Sequence, residues 1–359
     1  MQKNKDFLRK LFTGEPVDRH AFICNPQFMP ETYAKKWGVR EAPPRSYTLR
    51  SEPVTTWVPS IAARYEWLKD FHASIEDDGV PCASLMTGTH IYAAAFGCPV
   101  HEYENSNPAA LPLVQTADEA DALDEPSIES SRVLERIFEL GHALLEELGP
   151  EINLAPPDFQ SGFDIAAQIW QKESFFMALM DPNQQASIQR LVDRCSSLLR
   201  KMYRRLRSEF PTMTPCHCPG AAWVPPELGP WLSNDECGAL NTTLFEQFCL
   251  PELIGIAEAF GGLGMHCCAG AEHQFPSFKK IPNFYAFNRV PAQKGIWPIL
   301  DHFAGPGSPV HVLAWLDDST MIELMARAPE GTRFVFVRAV NSMDEAKAWL
   351  DRMIDACAV

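Results

Sequence analysis

His266 and Cys268 stand two residues apart in the stretch GMHCCAGAEH at 264–273. An imidazole nitrogen and a thiolate sulfur are ligands that zinc favours. If the apolar run carrying them is a β-strand, side chains at i and i+2 leave on the same face, so both donors reach one point. Cys267 then faces the other way, where a thiol packs as a small hydrophobe. An isolated H-x-C is also what a hydrogen-bonded core histidine beside a small buried residue looks like, so the rest of the sequence has to decide.

A second cluster, Cys216-His217-Cys218, follows a long helical segment. A catalytic zinc takes about three protein ligands and keeps one position open, so a third donor is needed. His217, Cys218, Glu272 and His311 are each chemically able to supply it, and the pair at 217–218 is favoured. Asp235, in WLSNDECG, reads as a carboxylate base or substrate acceptor, and equally as an Asx-type turn residue. Asn288 and Arg289 close the apolar run at 284–287, while Asp317 and Asp318 follow the run containing Trp315. Asp318 can equally cap the next helix. Asp235 and Asn288 are expected to orient substrate, with Trp223, Trp231, Arg289 and Trp315 lining its place.

Bringing these groups together needs a sheet. Apolar runs at 263–267, 284–287, 310–316 and 334–337 alternate with helix-length segments and start about 21 to 26 residues apart, enough for a strand, a crossover helix and two loops. Ser319-Thr320 precede MIELMARA, and Ser342 precedes MDEAKAWLDRMIDA with Glu345 at capping-box spacing. Segments 127–149 and 181–210 are amphipathic, the second with Pro182 at the favoured first helical position. Periodicity is lost over 211–241, which reads as a long irregular loop of the kind that closes over a site, its tryptophans excluding water. In a barrel, His266, Asn288, Arg289, Asp317 and Asp318 would share the C-terminal rim.

Composition narrows the function classes. With 31 Lys plus Arg against 46 Asp plus Glu, the net charge of -15 repels phosphate backbones and anionic lipid, which argues against nucleic-acid and membrane partners. No apolar run approaches the roughly 18 residues of a membrane span. Eleven cysteines, an odd number scattered from Cys24 to Cys357, read as free thiols in a reducing compartment, so a cytoplasmic protein is expected. Walker A, G-x-G-x-x-G, C-x-x-C, H-E-x-x-H and G-x-S-x-G sequences are absent.

Three stretches carry a resemblance: FLRKLFTGEPVDRHAF near the start, AFGCPV at 95–100, and GMHCCAGAEH followed by PNFYAFN. On these the chain resembles the uroporphyrinogen decarboxylase superfamily over nearly its whole length, nearer the cobalamin-dependent methyltransferase branch. The resemblance implies an α/β fold: a single (β/α)8 TIM barrel domain over 1–359 with an N-terminal helical extension. It implies zinc held by His266 and Cys268, activating a thiol by stabilising its thiolate. The reaction implied moves a methyl group between a corrinoid and a small-molecule donor or thiol acceptor, with the corrinoid as substrate or carried by a separate protein.

The sequence departs from that pattern twice. Methyltransferase members take a third ligand from a later cysteine near the last strands, and RFVFVRAVN contains none. The arginine-rich loop that holds porphyrinogen carboxylates in the decarboxylases is represented here by ICNPQFMPETYAKKW, without arginine. Two rival readings follow: a metal-independent decarboxylase or lyase with stabilisation from Arg289 or Arg338, and a non-catalytic barrel that binds a corrinoid or tetrapyrrole.

Overall fold

The computed structural model describes residues 1–357. Ten strands occur among them: β1 Ala21–Pro26, β2 Ala83–Ser84, β3 Val100–His101, β4 Ala109–Ala110, β5 Leu154–Ala155, β6 Trp231–Ser233, β7 Leu263–Cys267, β8 Phe284–Arg289, β9 Val310–Leu313 and β10 Phe334–Val340. Fifteen α-helices are interleaved with them. Six strands form one parallel sheet in the order β1-β10-β9-β8-β7-β6. β2 pairs in parallel with β5, and β3 with β4 antiparallel.

Hydrogen bonds from chain flanking the small parallel pair reach both edges of the large sheet. Ahead of β2, the Asp78 N–H donates to the Phe22 carbonyl at 3.0 Å, and the Asp77 carboxylate accepts the Cys24 N–H at 2.7 Å. Beyond β5, the Ser233 N–H donates to the Phe159 carbonyl and the Ser161 N–H to the Ser233 carbonyl, each at 2.8 Å. β1 and β6, the edges of the six-stranded sheet, are thus both joined to chain flanking the β2–β5 pair.

Strand alternation sorts side chains onto two faces. Phe22, Cys24, Met265, Cys267, Phe287, Phe334 and Phe336 join a large cluster with the helices, whereas Ala21, Ile23, Ala286, Val310, Val312, Val335 and Val337 join a smaller one. Burial on both faces is why these strands read as nearly unbroken apolar runs. Helix α1, Gln2–Thr13, adds Leu8, Leu11 and Phe12 to the smaller cluster and stops at Gly14, whose φ of 87° is left-handed. Arg333, just before β10, donates to the carbonyls of Leu11 (3.0 Å) and Gly14 (2.7 Å), and Asn4 Nδ2 donates to the Asp77 carbonyl at 2.8 Å. These bonds hold α1 across the N-terminal ends of the strands.

The stretch 211–241 departs from the expected loop. It contains β6, the edge strand of the large sheet, and a 3-10 turn at Glu236–Ala239. A three-residue strand directly after Pro230 is too short to show a period. Helix starts also move inward: the segment 127–149 is helical from Arg132 and 181–210 from Gln185, because Ser127 and Asp181 accept N–H groups in turns ahead of the helices. No helix among the described residues is long and apolar enough to cross a membrane.

Candidate metal centre

Parallel register builds the site. Ser233 of β6 lies opposite His266 of β7, and His266 opposite Asn288 of β8. Asp235 and Cys268 each follow two residues beyond, where the strands end. One potential ligand atom from each of Asp235, His266 and Cys268 lies within 4.8 Å of the others; among the described residues no other such group of three forms. The potential donor that the strand order brings beside His266 and Cys268 is Asp235, whereas His217, Cys218, Glu272 and His311 fall outside this group.

The histidine tautomer follows from its neighbour. Asn288 Nδ2 donates to the Val312 carbonyl at 2.5 Å, which turns its Oδ1 toward His266 Nδ1, also at 2.5 Å. An amide oxygen only accepts, so Nδ1 carries the proton and the Nε2 lone pair is free. Nε2 faces Cys268 Sγ at 2.8 Å. Partial burial and the Asp235 carboxylate push the Cys268 thiol up to about 12, so a nearby cation is needed to make it a thiolate at neutral pH.

Asp235 is itself held. Its Oδ1 accepts the Cys268 N–H at 2.5 Å, and the N–H groups of Asp235 and Glu236 donate to the two oxygens of Asp164 at 2.7 and 3.2 Å. Asp164 is the third residue of the helix Gly162–Ile169, capped by Ser161 Oγ, which accepts its N–H at 3.0 Å. Burial, then the field of Asp235, raises the Asp164 carboxyl well above the usual range. A buried acid thus fixes the turn that carries the candidate ligand.

No protein-family model matches the chain, and no curated protein matches it. Among solved structures, a methyltransferase from Methanosarcina mazei aligns with a TM-score of 0.63 over 98% of this chain and 98% of that one, at 13% sequence identity. The two chains share a fold.

The remaining candidates lie at varied distances from this centre. His217 is buried, bonded through Nε2 to Ser233 Oγ at 3.0 Å, and pushed down to about 3 by burial, so it is neutral. Cys218 borders the site: burial, then Asp158, Cys268 and Asp235, raise its thiol to about 12. Glu272 accepts from Arg289 at 2.6 Å, and Arg289, 1% exposed, also donates to the Cys267 carbonyl, so each is held by the other on the face away from His266. His311 donates from Nε2 to the Phe303 carbonyl at 2.6 Å and is packed on Phe334.

The tryptophans also separate. Trp223 and Trp231 are buried in the smaller cluster with α1, Lys5 and Arg9 stacking over Trp223. They sit toward the N-terminal ends of the strands, on the side of α1. Trp315 follows β9, is 60% exposed and has a φ of 59°. Asp317, not Asp318, caps the next helix by accepting the Thr320 N–H at 2.7 Å.

Two residues near the centre were not singled out from sequence. Asp164 carries a visible signal, since Ser161-Gly-Phe-Asp164 has the S-x-x-D spacing of a helix start. Asp158, just past β5, accepts from Gln160; burial raises its carboxyl while His266 and Arg45 oppose the shift. Its approach to His266 depends on which strands are neighbours and leaves no local mark.

Proposed function

We propose that this protein is a zinc-dependent methyltransferase, a single (β/α)8 barrel domain over 1–359 with Asp235, His266 and Cys268 as metal ligands at the C-terminal ends of its strands. The observation that carries the reading is the convergence of those three donors with the His266 proton already placed on Nδ1 by Asn288. Closure into a barrel is supported by the bonds tying both edges of the large sheet to chain flanking the β2–β5 pair. The fold shared with a solved methyltransferase is in keeping with the reaction class.

The donor set fits zinc: one nitrogen, one sulfur and one carboxylate oxygen, the three protein ligands a catalytic zinc takes. Bound there, zinc would supply a charge that lowers the pKa of a coordinated thiol. The protein's own residues prepare that place. Asn288 keeps the His266 Nε2 lone pair free, Asp235 fixes the Cys268 backbone, and Asp164 fixes Asp235. The substrates are a corrinoid, brought by a separate protein, and a small thiol or methyl donor. Trp315, exposed just beyond β9, offers an aromatic face to either.

A metal-independent lyase is less well supported. Arg289 is closed into its pair with Glu272, and Arg338 donates to the Leu316 carbonyl and faces Asp318 at 3.6 Å, so both stabilising cations of that reading are engaged elsewhere.

The test is metal per chain on protein purified without chelators and reconstituted under reducing conditions. About one zinc in the wild type is expected. His266→Ala and Cys268→Ala should each lose it, and thiol methylation from methylcobalamin should follow the zinc content. A wild type that takes up no zinc would overturn the reading.

A further inference from the structure

A cavity of about 440 Å³ runs alongside β1 and β2, and its wall includes Asn25, Ser84, Met86, Gly220 and two arginines, Arg45 and Arg64. This volume falls in the range of about 300–1,000 Å³ usual for small-molecule sites. Both arginines bond only to backbone carbonyls: Arg64 to those of Pro26 and Phe28, Arg45 to that of Thr87 at 3.4 Å. Burial lowers the Arg64 pKa with no carboxylate acting against it. Arg64 is half-buried and Arg45 exposed, and the two line one cavity without a carboxylate partner in a chain of net charge -15.

The acids nearby are otherwise engaged. Asp77 accepts from His72 Nδ1 and the Cys24 N–H, each at 2.7 Å, and from the Gly79 N–H at 3.0 Å. Asp158 feels Arg45 but bonds to Gln160. What the cavity lacks is an acceptor with paired oxygens, the shape a guanidinium fork matches best.

We propose that this cavity is an anion subsite in which Arg45 and Arg64 hold a carboxylate or phosphate group of a small-molecule ligand. The cavity adjoins the metal centre: a Cβ on Gly220, in its wall, would lie 3.6 Å from the His217 carbonyl, and His217 bonds to Ser233, which stands opposite His266. The anion is then the tail of a molecule whose other end approaches Cys268. That extension rests on the proposed methyltransferase reading; anion binding itself does not.

The test is calorimetric titration of metal-free protein at fixed ionic strength with succinate in one arm and glycerol 3-phosphate in the other. Saturable binding in one arm is expected and identifies the anion as carboxylate or phosphate. Arg45→Gln, whose one weak bond makes it safe for folding, should weaken binding by about tenfold or more with unchanged Tm. Arg64→Lys, which keeps the charge and loses the fork, should weaken it less. No saturable binding of either probe up to about 10 mM, or equal affinity in Arg45→Gln, would overturn the proposal. Binding retained in His266→Ala, beside a wild type that takes up no zinc, would leave the subsite standing while the metal reading falls.

Discussion

Two residues of strand on β6 and β7, and three on β8 across its register shift, separate two different uses of the same sheet face. Toward its N-terminal end, Trp231 of β6, Gly264 of β7 and Tyr285 of β8 pack together, with α1 closing the end beneath them. Toward its C-terminal end, Ser233, His266 and Asn288 stand side by side on the same three strands. The first group is set by volume: a Cβ on Gly264 would come within 2.3 Å of the Trp231 ring and 2.9 Å of Tyr285 Oη, so only glycine admits both aromatics. The second is set by direction, since Asn288 has to donate one way and accept the other for His266 to keep a free nitrogen. Because side chains repeat every two residues, one face can be solid core at one end and a row of polar side chains at the other.

The largest effect belongs to the packed end. Trp231→Ala should cost about 3–5 kcal/mol, the usual range for a fully buried tryptophan, read as the shift in denaturant midpoint. Zinc stoichiometry of the folded variant should stay at the wild-type value. Loss of zinc in a variant that is still folded would mean that the two ends are not separable, and that ligand geometry depends directly on the aromatic packing beneath it.

At the ligand end, Asn288→Ala should weaken zinc binding by about 10–100-fold, as expected when the partner that orients a ligating histidine is removed. Asn288→Asp keeps an acceptor for His266 Nδ1–H and gives up only the donor to the Val312 carbonyl, so it should recover most of that loss. Equal weakening by both substitutions would assign Asn288 to strand packing and remove the tautomer argument.

The same contrast explains which parts were legible in the sequence. β7 to β10 could be read because strands buried on both faces are written as apolar runs, and the run lengths differ from the structure only at their ends. β6, β5 and β2 have two or three residues each and leave no period. His266 and Cys268 could be paired from spacing within one strand. Asp235 was visible as a carboxylate, but its approach to them depends on β6 being the neighbour of β7, a fact of strand order. A register shift between Leu263 and Gly264 keeps Asn288 opposite His266 and Arg289 opposite Cys267, on the face away from the site. Trp223 and Trp231 looked like cover for the site because their stretch is rich in proline and glycine; nothing local shows that α1 packs on them instead.

Acid should act across both faces of the sheet. Burial pushes His311 of β9, on the helix-covered face, down to about 4, and His217, beside Ser233, to about 3, from an ordinary 6.5. For a base held neutral, the unfolded chain binds the extra proton first, so stability is fully present above pH 6.5 and falls as pH drops toward the folded value. Each such histidine contributes a slope of up to about 1.4 kcal/mol per pH unit in that window. His311→Gln, which keeps a donor for the Phe303 carbonyl, should remove one histidine's share between pH 6.5 and 4 while leaving stability at pH 8 within about 1 kcal/mol. Denaturant midpoints measured across that range decide it: an unchanged acid slope would mean that His311 is protonated in the folded protein, and that the helix-covered face tolerates a charge that its packing against Phe334 argues against.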